Sequence, residues 1–370
     1  MIRHDALIFT PQDVDLARSP LAGRIDAETY VLGAFNPGLT RLANGNLLLM
    51  VRVAEALKQP IRDQHIHAIR WRDGDYVLDR WPIGQVDPSD PRKFMMRQAG
   101  WRVMALTSLS WLLPVELSPD GHRVEAVHYA RALAPGAAYE CYGIEDARIS
   151  KIGGRWYMTV CAVSPERHCT VLYTSDDALD WRREGVILDH QNKDMLFFEG
   201  LIEGRYWAQT RPLGDLYFAY PPDSEWRAGP AIQLASSPDA LHWKPCDHPG
   251  LRPHAATLAT ARMGGGAPPL LTDGGWLSLW HGVEPAGVVG IYRTYWSLLD
   301  PAEPWRVRRT EHRALLEPNP ALTEPLKDLM YLNDIVFTTG MVDGGDHYLV
   351  ASGEADLACR MTWIDKRAFG

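Results

Sequence analysis

The stretch from Gly153 to Cys161 reads Gly-Gly-Arg-Trp-Tyr-Met-Thr-Val-Cys, which is a glycine turn, an apolar run and then a polar group. A short apolar run bounded by turn residues is typical of a buried strand. The same order recurs at residues 44–52, 203–211, 274–281 and 344–352. A repeated strand register predicts a repeated sheet, and sheets placed around one axis bring equivalent strand ends together. We therefore expect Arg52, Arg211 and His281 to meet, although they are far apart in sequence.

A second repeat supports the first. Polar turns that begin at Ser118, Ser175 and Ser237 each lie beside an apolar or aromatic strand, and Ser and Asp favour turns because their side chains bond nearby backbone groups. Gly and Pro number 31 and 27 and interrupt most helical patterns, although residues 2–19 could hold a helical turn or two. The sequence predicts an all-β fold, a five-bladed β-propeller. We expect residues 1–370 to form one domain with its active site at the central axis.

The charge balance excludes some partners. The net charge of the 370-residue chain is −8, which argues against a nucleic acid or an anionic membrane as the main partner. No run approaches the roughly 20 apolar residues of a membrane span, and the first residues lack the pattern of a signal peptide. We expect a cytoplasmic protein, and we leave open whether it forms a homo-oligomer.

The segment with the densest chemistry is residues 142–149, where Glu145 and Asp146 are followed by Arg148. Adjacent residues on a strand face opposite ways, so only one of the two carboxylates can point into a given site. The other would pair with an arginine or cap a turn. A solvated acidic turn is the alternative interpretation of the same residues.

Glu145-Asp146-Ala147-Arg148 resembles the Glu-Asp-Pro-Arg signature of glycoside hydrolase family 130, which contains β-mannoside phosphorylases and β-mannosidases built on five-bladed propellers. Other landmarks of that family occur here in the same order, over roughly residues 31 to 360. They are Asn36-Pro37, Arg52, Asn192-Lys193-Asp194, Arg211-Pro212, the glycine- and proline-rich run 263–269, His281-Gly282-Val283, Tyr292-Arg293 and Ala355-Asp356.

The resemblance implies that Asp146 is the general acid, which protonates the glycosidic oxygen through a sugar hydroxyl. Phosphate then attacks the anomeric carbon from the opposite face, with inversion, and releases mannose 1-phosphate. The expected partners are a β-linked mannose-containing oligosaccharide and inorganic phosphate as co-substrate. The resemblance also assigns substrate binding to Asn36, Arg52, Glu145, Arg148 and Asp356.

The phosphate site implied by the resemblance comprises Asn192, Arg211, Arg262, His281 and Tyr292. The family's Arg-Asn pair reads Gln191-Asn192, so one arginine is missing, while Arg262 retains the charge of a family lysine. Loss of one charged hydrogen bond removes about 1.5–3 kcal/mol of oxyanion binding. The sequence therefore predicts a weaker phosphate site rather than none.

Two alternatives remain from the sequence. An inverting mannosidase needs a second carboxylate to activate water, and Glu199 and Glu284 are the candidate bases. A non-catalytic sugar-binding propeller is the other. Glu354 departs from the family's closing motif, which leaves the sugar specificity open. We expect no metal and no organic cofactor, since His65 and His67 have a metal-like spacing but lack an evident third ligand.

Overall fold

The computed structural model describes residues 1–97, 103–214 and 216–369. Within these ranges the only α-helix spans Pro320–Thr323. Short 3₁₀ turns occur at Pro11–Asp13, Leu16–Arg18, Ile83–Gln85, Tyr129–Arg131, Ala138–Glu140, Glu324–Leu329 and Lys366–Phe369. None of the described helices has the length and apolar character that a bilayer crossing requires. The prediction of an all-β fold is confirmed.

Five antiparallel sheets of four or five strands account for most of the described chain. Sheet 1 contains Ile2–Phe9, Ala358–Asp365, His347–Glu354 and Val336–Asp343; sheet 2 contains Val124–Val127, Ser108–Leu117, Leu47–Leu57 and Thr29–Arg41; sheet 3 contains Ile144–Ile152, Arg155–Val163, His168–Ser175 and Arg182–Leu188; sheet 4 contains Asn192–Phe197, Tyr206–Pro212, Gln233–Ser237 and Lys244–Pro245; sheet 5 contains Arg262–Gly265, Leu270–Thr272, Gly275–Glu284, Ile291–Leu299 and Val307–Thr310.

Two smaller sheets lie within the long connection between the strands Leu47–Leu57 and Ser108–Leu117 of sheet 2. Their strands are Ile61–Arg62, His65–Arg72 and Asp75–Pro82 in one, and Val86–Asp87, Lys93–Met96 and Val103–Leu106 in the other. A small apolar cluster packs the two sheets together, with Ile66 and Ala68 from the first and Val86 and Phe94 from the second.

Each glycine-led stretch identified in the sequence lies on an equivalent strand. Each of these strands pairs with the strand that precedes it in its own sheet, so it is the second strand of the four or five, counting sheet 1 from Val336–Asp343 and sheet 2 from Thr29–Arg41. The five strands are Leu47–Leu57, Arg155–Val163, Tyr206–Pro212, Gly275–Glu284 and His347–Glu354. The repeat in the sequence is therefore a repeat of strand position in the sheets.

Residues 2–19, where one or two helical turns are expected, form a strand that is followed by two 3₁₀ turns. Ile2–Phe9 pairs antiparallel with Ala358–Asp365, so the beginning of the chain completes a sheet built from its end. Unpaired backbone groups along the 358–365 edge gain hydrogen-bond partners this way. The 3₁₀ turns at Pro11–Asp13 and Leu16–Arg18 follow the strand.

Buried side-chain hydrogen bonds join each sheet to the next, and sheet 5 is joined to sheet 1 in the same way. In order from the junction of sheets 1 and 2, the bonds are Thr339 Oγ1 to the Pro37 carbonyl (2.8 Å), Trp156 Nε1 to Thr40 Oγ1 (3.1 Å), Ser150 Oγ to the Phe197 carbonyl (3.0 Å), Gln209 Nε2 to Ser278 Oγ (2.8 Å), and Thr294 Oγ1 with Thr338 Oγ1 (2.7 Å). The strands that begin sheets 2, 3, 4 and 5 also contact one another in that order.

Candidate active site

Three of these first strands carry a bulge at a corresponding place, and each bulge presents a polar side chain. Asn36, Asp146 and Asp194 lie where the strand register shifts, with φ of 48°, 52° and 56°. A left-handed backbone is rare for residues other than glycine, and Asn and Asp tolerate it best. The bulges re-aim these side chains at the sheet ends, where bulges commonly serve active sites. Asp356, with φ of 49°, has the same backbone conformation.

Asp146 is held by a cation and an amide. Its Oδ1 accepts hydrogen bonds from Arg52 Nη1 and Asn36 Nδ2, both at 2.9 Å, and its side chain is 10% exposed. Burial raises the pKa of Asp146, but the charges of Arg52, Arg148 and Lys193 outweigh it, so that pKa lies below its usual range. Without ligands, Asp146 is therefore a carboxylate.

Glu145 faces the same arginine from the neighbouring position. Its carboxylate accepts from Arg52 Nη2 at 2.9 Å and from Lys193 Nζ at 3.1 Å. Burial opposes ionisation, yet these two cations lower the pKa of Glu145. Of the two adjacent carboxylates, Glu145 is thus the one that pairs with cations on both sides, and the solvated-turn interpretation does not apply to it.

Arg148 connects the acid to the opposite side of the site. Its Nη1 donates to the Asp146 carbonyl at 2.6 Å, its Nε donates to the Gly266 carbonyl at 2.7 Å, and its Nη2 lies 3.5 Å from Asp194 Oδ1. The side chain is 1% exposed. Arg148 is therefore placed to position other groups rather than to touch a sugar directly.

Of the three residues that the strand repeat predicts to meet, Arg211 and His281 do so, whereas Arg52 pairs with Glu145 and Asp146 instead. Arg211 Nη1 donates to His281 Nε2 at 3.2 Å, and Arg211 Nη2 pairs with Asp194 Oδ2 at 3.1 Å. Because His281 accepts at Nε2, its proton resides on Nδ1. Among the described residues, neither that Nδ1 nor Arg211 Nε has a hydrogen-bond partner, although both are buried. Such unpaired buried donors are rare in folded proteins, and an anion that enters the site would satisfy them.

Arg262 and Tyr292 extend this group of donors. Arg262 Nη2 donates to the Tyr292 hydroxyl and to the Val289 carbonyl, the latter at 3.1 Å. Within the described ranges no carboxylate pairs with Arg262, so its charge is not neutralised by the protein. Burial, with the charges of Arg211 and Arg148, holds the pKa of His281 well below its usual value. His281 is therefore a neutral donor beside two arginines.

Gly264 leaves room for this cluster. A Cβ at that position would lie 2.5 Å from both Asp194 Oδ2 and His281 Cε1. The glycine run 264–266 is therefore a close approach of the backbone to neighbouring groups. Any larger side chain would displace Asp194 or His281. It would thereby change the geometry of Arg211, Arg262 and His281, which we call the anion-binding group.

Asp356 and Arg92 lie on the side of the site that the small sheets approach. Burial raises the pKa of Asp356 to about 6, although Arg52 and Arg92 oppose this shift. The Tyr331 hydroxyl donates to the Asp356 carbonyl at 3.0 Å. Arg92 is oriented by a bidentate contact with Asp90 at 3.0 Å. The 87–92 loop thus brings the charge of Arg92 close enough to act on Asp356.

The structure does not bring Glu199 or Glu284 to Asp146. Glu199 Oε1 accepts from the Lys151 backbone N–H at 3.3 Å, and Lys151 lies five residues along the strand from Asp146, or about 15 Å away. Glu284 is three residues after His281 on one strand, which places it on the opposite face, and it pairs with Arg293 at 2.5 Å. Neither is placed to activate water at a sugar that Asp146 would protonate.

Two further residues named from the sequence have structural contacts. Asn192 is fully buried; its Nδ2 donates to Thr170 Oγ1 at 2.9 Å, and its Oδ1 accepts from the Arg211 backbone N–H at 3.0 Å. It therefore positions Arg211. Glu354 accepts from Arg360 Nη1 at 2.7 Å and from the Asn319 N–H at 2.6 Å, so its carboxylate is already occupied.

Sequence reasoning missed three residues of the cluster. Lys193 and Asp194 belong to the quoted Asn-Lys-Asp run but were given no role, although Asp194 repeats the bulge of Asp146. His168 is half-buried nearby, and burial with the charge of Lys193 lowers its pKa to about 4. The sequence feature that could have predicted its place near the site is a polar residue at the start of a strand in the same sheet as Glu145. Within the described ranges, no three His, Cys, Asp or Glu side chains are grouped as metal ligands.

The site combines a buried carboxylic acid, the cations around it, and donors that suit an anion. It lies at one end of the linked sheets. This arrangement suits a reaction in which an acid donates a proton and a bound anion takes part. Residues 107–368 match the sequence profile of glycoside hydrolase family 130, described as beta-1,4-mannooligosaccharide phosphorylase. That match covers most of the chain, which therefore belongs to this family, and the resemblance noted in the sequence is confirmed.

Individual relatives agree. The chain is 30% identical over 341 residues to a β-1,2-mannobiose phosphorylase of Listeria innocua, covering 89% of this chain and 87% of the relative. It is 32% identical over 232 residues to a 1,2-β-oligomannan phosphorylase of Thermoanaerobacter sp., covering 62% and 70%. The solved structure of the Listeria enzyme in complex with β-1,2-mannobiose superposes with a TM-score of 0.79 at 28% identity, covering 98% of this chain and 95% of that one.

Proposed function

We propose that this chain is an enzyme that cleaves β-mannosidic linkages by phosphorolysis, with inversion, to give α-mannose 1-phosphate. The observation that carries the proposal is the anion-binding group, which Arg148 joins to Asp146. In the described part of the chain, Arg262 has no carboxylate partner, and buried donors on Arg211 and His281 have no acceptors. Preorganised cations and neutral donors of this kind suit a phosphate oxyanion.

In this mechanism Asp146 delivers a proton, through a sugar hydroxyl, to the glycosidic oxygen. A phosphate oxygen attacks the anomeric carbon from the opposite face as the carbon–oxygen bond breaks. The shortened sugar leaves with the proton, and Asp146 regains one from solvent. Arg52 and Asn36 hold the carboxyl in place by their bonds to Oδ1, which leaves Oδ2 to face the sugar.

The low pKa of the unliganded Asp146 fits this order of events. A carboxyl acts as an acid only when it is protonated, and the surrounding cations favour the carboxylate. Phosphate bound at Arg211 and Arg262 adds negative charge, which raises the pKa of a nearby carboxyl. Phosphate binding would therefore prepare Asp146 to donate.

Hydrolysis is the less favoured alternative because the candidate bases lie elsewhere. Inverting hydrolases hold their two carboxyl groups about 6.5–9.5 Å apart. Glu199 accepts from the N–H of Lys151, at the end of the strand Ile144–Ile152 that is far from Asp146. Glu284 accepts from Arg293, on the opposite face of the sheet from His281. A non-catalytic sugar-binding propeller would bind the disaccharide without cleaving it, so turnover distinguishes that alternative from an enzyme.

For the linkage we propose β-1,2, since the relative that covers 89% of the chain is named a β-1,2-mannobiose phosphorylase. We also propose that the five sheets are the blades of a single propeller domain over residues 1–370, in keeping with the return of sheet 5 to sheet 1. A cytoplasmic location remains a prediction, which cell fractionation would check.

The test is the rate of cleavage of β-1,2-mannobiose and β-1,4-mannobiose with and without inorganic phosphate. We expect cleavage only with phosphate, mannose 1-phosphate as the product, and a higher rate for the β-1,2 linkage. Equal rates of free mannose release with and without phosphate would reject phosphorolysis. A higher rate for the β-1,4 linkage would reject the assigned linkage alone.

A further inference from the structure

Lys193 is a largely buried cation that the mechanism above does not use. Its side chain is 25% exposed, and its Nζ donates to Glu145 Oε2 at 3.1 Å. The two residues lie on the first strands of different sheets, Asn192–Phe197 in sheet 4 and Ile144–Ile152 in sheet 3. Because Glu145 precedes Asp146, this contact between sheets reaches the residue next to the acid.

Glu145 and Asp146 share a single guanidinium. Arg52 Nη2 donates to Glu145 Oε1 and Arg52 Nη1 donates to Asp146 Oδ1, both at 2.9 Å. Burial and the charge of Asp146 push the pKa of Glu145 upward, and the two cations beside it reverse that shift. With Lys193 as the second cation, the four side chains carry two positive and two negative charges. This balance allows two adjacent carboxylates to stay ionised.

Lys193 acts on the acid without a direct bond. Burial opposes ionisation of Asp146, whereas Arg52, Arg148 and Lys193 lower its pKa. Arg52 bonds to the carboxylate and Arg148 to the backbone carbonyl of the same residue. In the part of the chain that the structure describes, the Lys193 ammonium bonds only to Glu145. Its effect on the acid therefore passes through Glu145 and through space.

Charged or titratable side chains from all five sheets, or from the turns that follow them, surround Asp146. In order of sheet they are Asp356, Arg52, Glu145, Arg148, Lys193 and His281. His281 is neutral, and burial raises the pKa of the Cys161 thiol behind Glu145, so the thiol is neutral too. Burial opposes the charge of Lys193, but Glu145 raises its pKa, so Lys193 stays protonated. Asp356, with a pKa raised by burial to about 6, is the same in every variant compared below.

We propose that Lys193 is a positioning residue for the general acid: it holds Oε2 of Glu145 and so leaves one arm of the Arg52 guanidinium for the acid. The inference goes beyond the proposed function and rests on it only for the identity of the acid. Without Lys193, two carboxylates compete for Arg52, and a shift of the guanidinium toward Glu145 loosens its bond to Asp146. Lys193 therefore governs both the placement of Asp146 and the pH at which it loses its proton.

The sign of the effect follows from a count of charges around the acid. In wild type, the pair of Lys193 and Glu145 carries no net charge beside Asp146. Lys193→Met removes a positive charge, so the acid should keep its proton to a pH about one unit higher. Glu145→Gln removes a negative charge, and the proton should be lost about one unit lower. The double variant removes one charge of each sign and should return close to wild type.

The test is the pH dependence of kcat for β-1,2-mannobiose at saturating phosphate. In wild type, kcat should fall on the alkaline side as the acid loses its proton. This fall should move to higher pH in Lys193→Met and to lower pH in Glu145→Gln, and it should stay in place in Lys193→Arg, which keeps the charge. Lys244→Met is the matched control, because Lys244 also pairs with a carboxylate, Asp247 at 2.9 Å, but lies on the outer strand of sheet 4.

An alkaline fall that does not move in a folded Lys193→Met protein would overturn the inference. A higher KM for phosphate with an unmoved fall would also overturn it, since Lys193 would then be a phosphate ligand. If Lys193→Met does not fold, Glu145→Gln decides, and a shift to higher pH or no shift in that variant would count against the inference.

Failure of the proposed function is recognised separately. Cleavage at equal rates with and without phosphate would reject phosphorolysis, and the same variants would then be compared by their rates of hydrolysis, which need the same acid. If no sugar is cleaved, a ¹³C NMR titration of the Asp146 carboxyl with bound mannobiose replaces the kinetic profile. The inference stands if Lys193→Met raises the midpoint of that titration and is overturned if the midpoint does not change.

Discussion

Replacement of Arg211 by lysine tests the phosphate site most specifically. Arg211 donates to His281, pairs with Asp194, and keeps its Nε free of partners in the described structure. Lysine retains the charge opposite Asp194 but loses the planar fork. Removal of the charge altogether would leave Asp194 with Arg148 alone at 3.5 Å, which is destabilising by about 3–5 kcal/mol for a buried pair.

The expected rise in the KM for phosphate follows from the loss of one charge-assisted hydrogen bond. Its loss is worth about 1.5–3 kcal/mol, and since about 1.4 kcal/mol is a factor of ten, the KM for phosphate should rise about 10- to 150-fold. The KM for mannobiose should change much less, because Arg52 and Asn36, not Arg211, hold the acid.

The assay is the initial rate against phosphate concentration at saturating mannobiose, with thermal unfolding measured on the same samples. Arg293→Lys is the matched control, since Arg293, like Arg211, pairs with a carboxylate on a central strand, but it lies beside Glu284 on the other face of its sheet. An unchanged KM for phosphate in a folded Arg211→Lys protein would refute the assignment of the anion-binding group.

The other predictions concern the acid and the two glutamates. Asp146→Asn should lower kcat by about 10²- to 10⁴-fold, the usual contribution of an acid, without weakening phosphate binding; a kcat equal to that of wild type would contradict its role. Glu284→Gln should leave kcat unchanged, because Glu284 bonds to Arg293 away from the acid; loss of turnover would instead favour hydrolysis. Burial raises the pKa of Glu199 to about 7, so the folded state holds the proton and stability falls as pH rises from about 4.5 to 7. The substituted glutamine carries no charge at any pH, so the melting temperature of Glu199→Gln relative to wild type should increase as pH rises from 5 to 8. A difference in melting temperature that does not depend on pH would contradict this.

The strand repeat was predictable because its signals are local. Glycine turns and apolar runs mark each second strand, and the Ser-Asp turns recur as hydrogen bonds from Ser175 Oγ to Asp177 Oδ1 at 2.9 Å and from Ser237 Oγ to Asp239 Oδ1 at 3.1 Å. The strand Ile2–Phe9 was not predictable, because its partner lies at the other end of the chain. Local periodicity carries no information about such a pairing.

The site was only partly predictable, for a related reason. The resemblance singled out Asp146, and the repeat predicted that Arg211 and His281 would meet. The pairing of Lys193 with Glu145 joins two sheets, and no local pattern reports it. The position of Glu284 could have been inferred, since strand alternation places it on the opposite face from His281. Glu199 could not, because its register relative to Lys151 depends on how sheets 3 and 4 pack.

The most direct test of the central claim, that phosphate and not water attacks the anomeric carbon, is turnover of β-1,2-mannobiose in H₂¹⁸O with unlabelled phosphate. Mass spectrometry would locate the label in the products. The anion-binding group of Arg211, Arg262 and His281 predicts mannose 1-phosphate whose oxygen at the anomeric carbon is unlabelled. Release of two free mannose molecules for each mannobiose cleaved, without mannose 1-phosphate, would contradict the account.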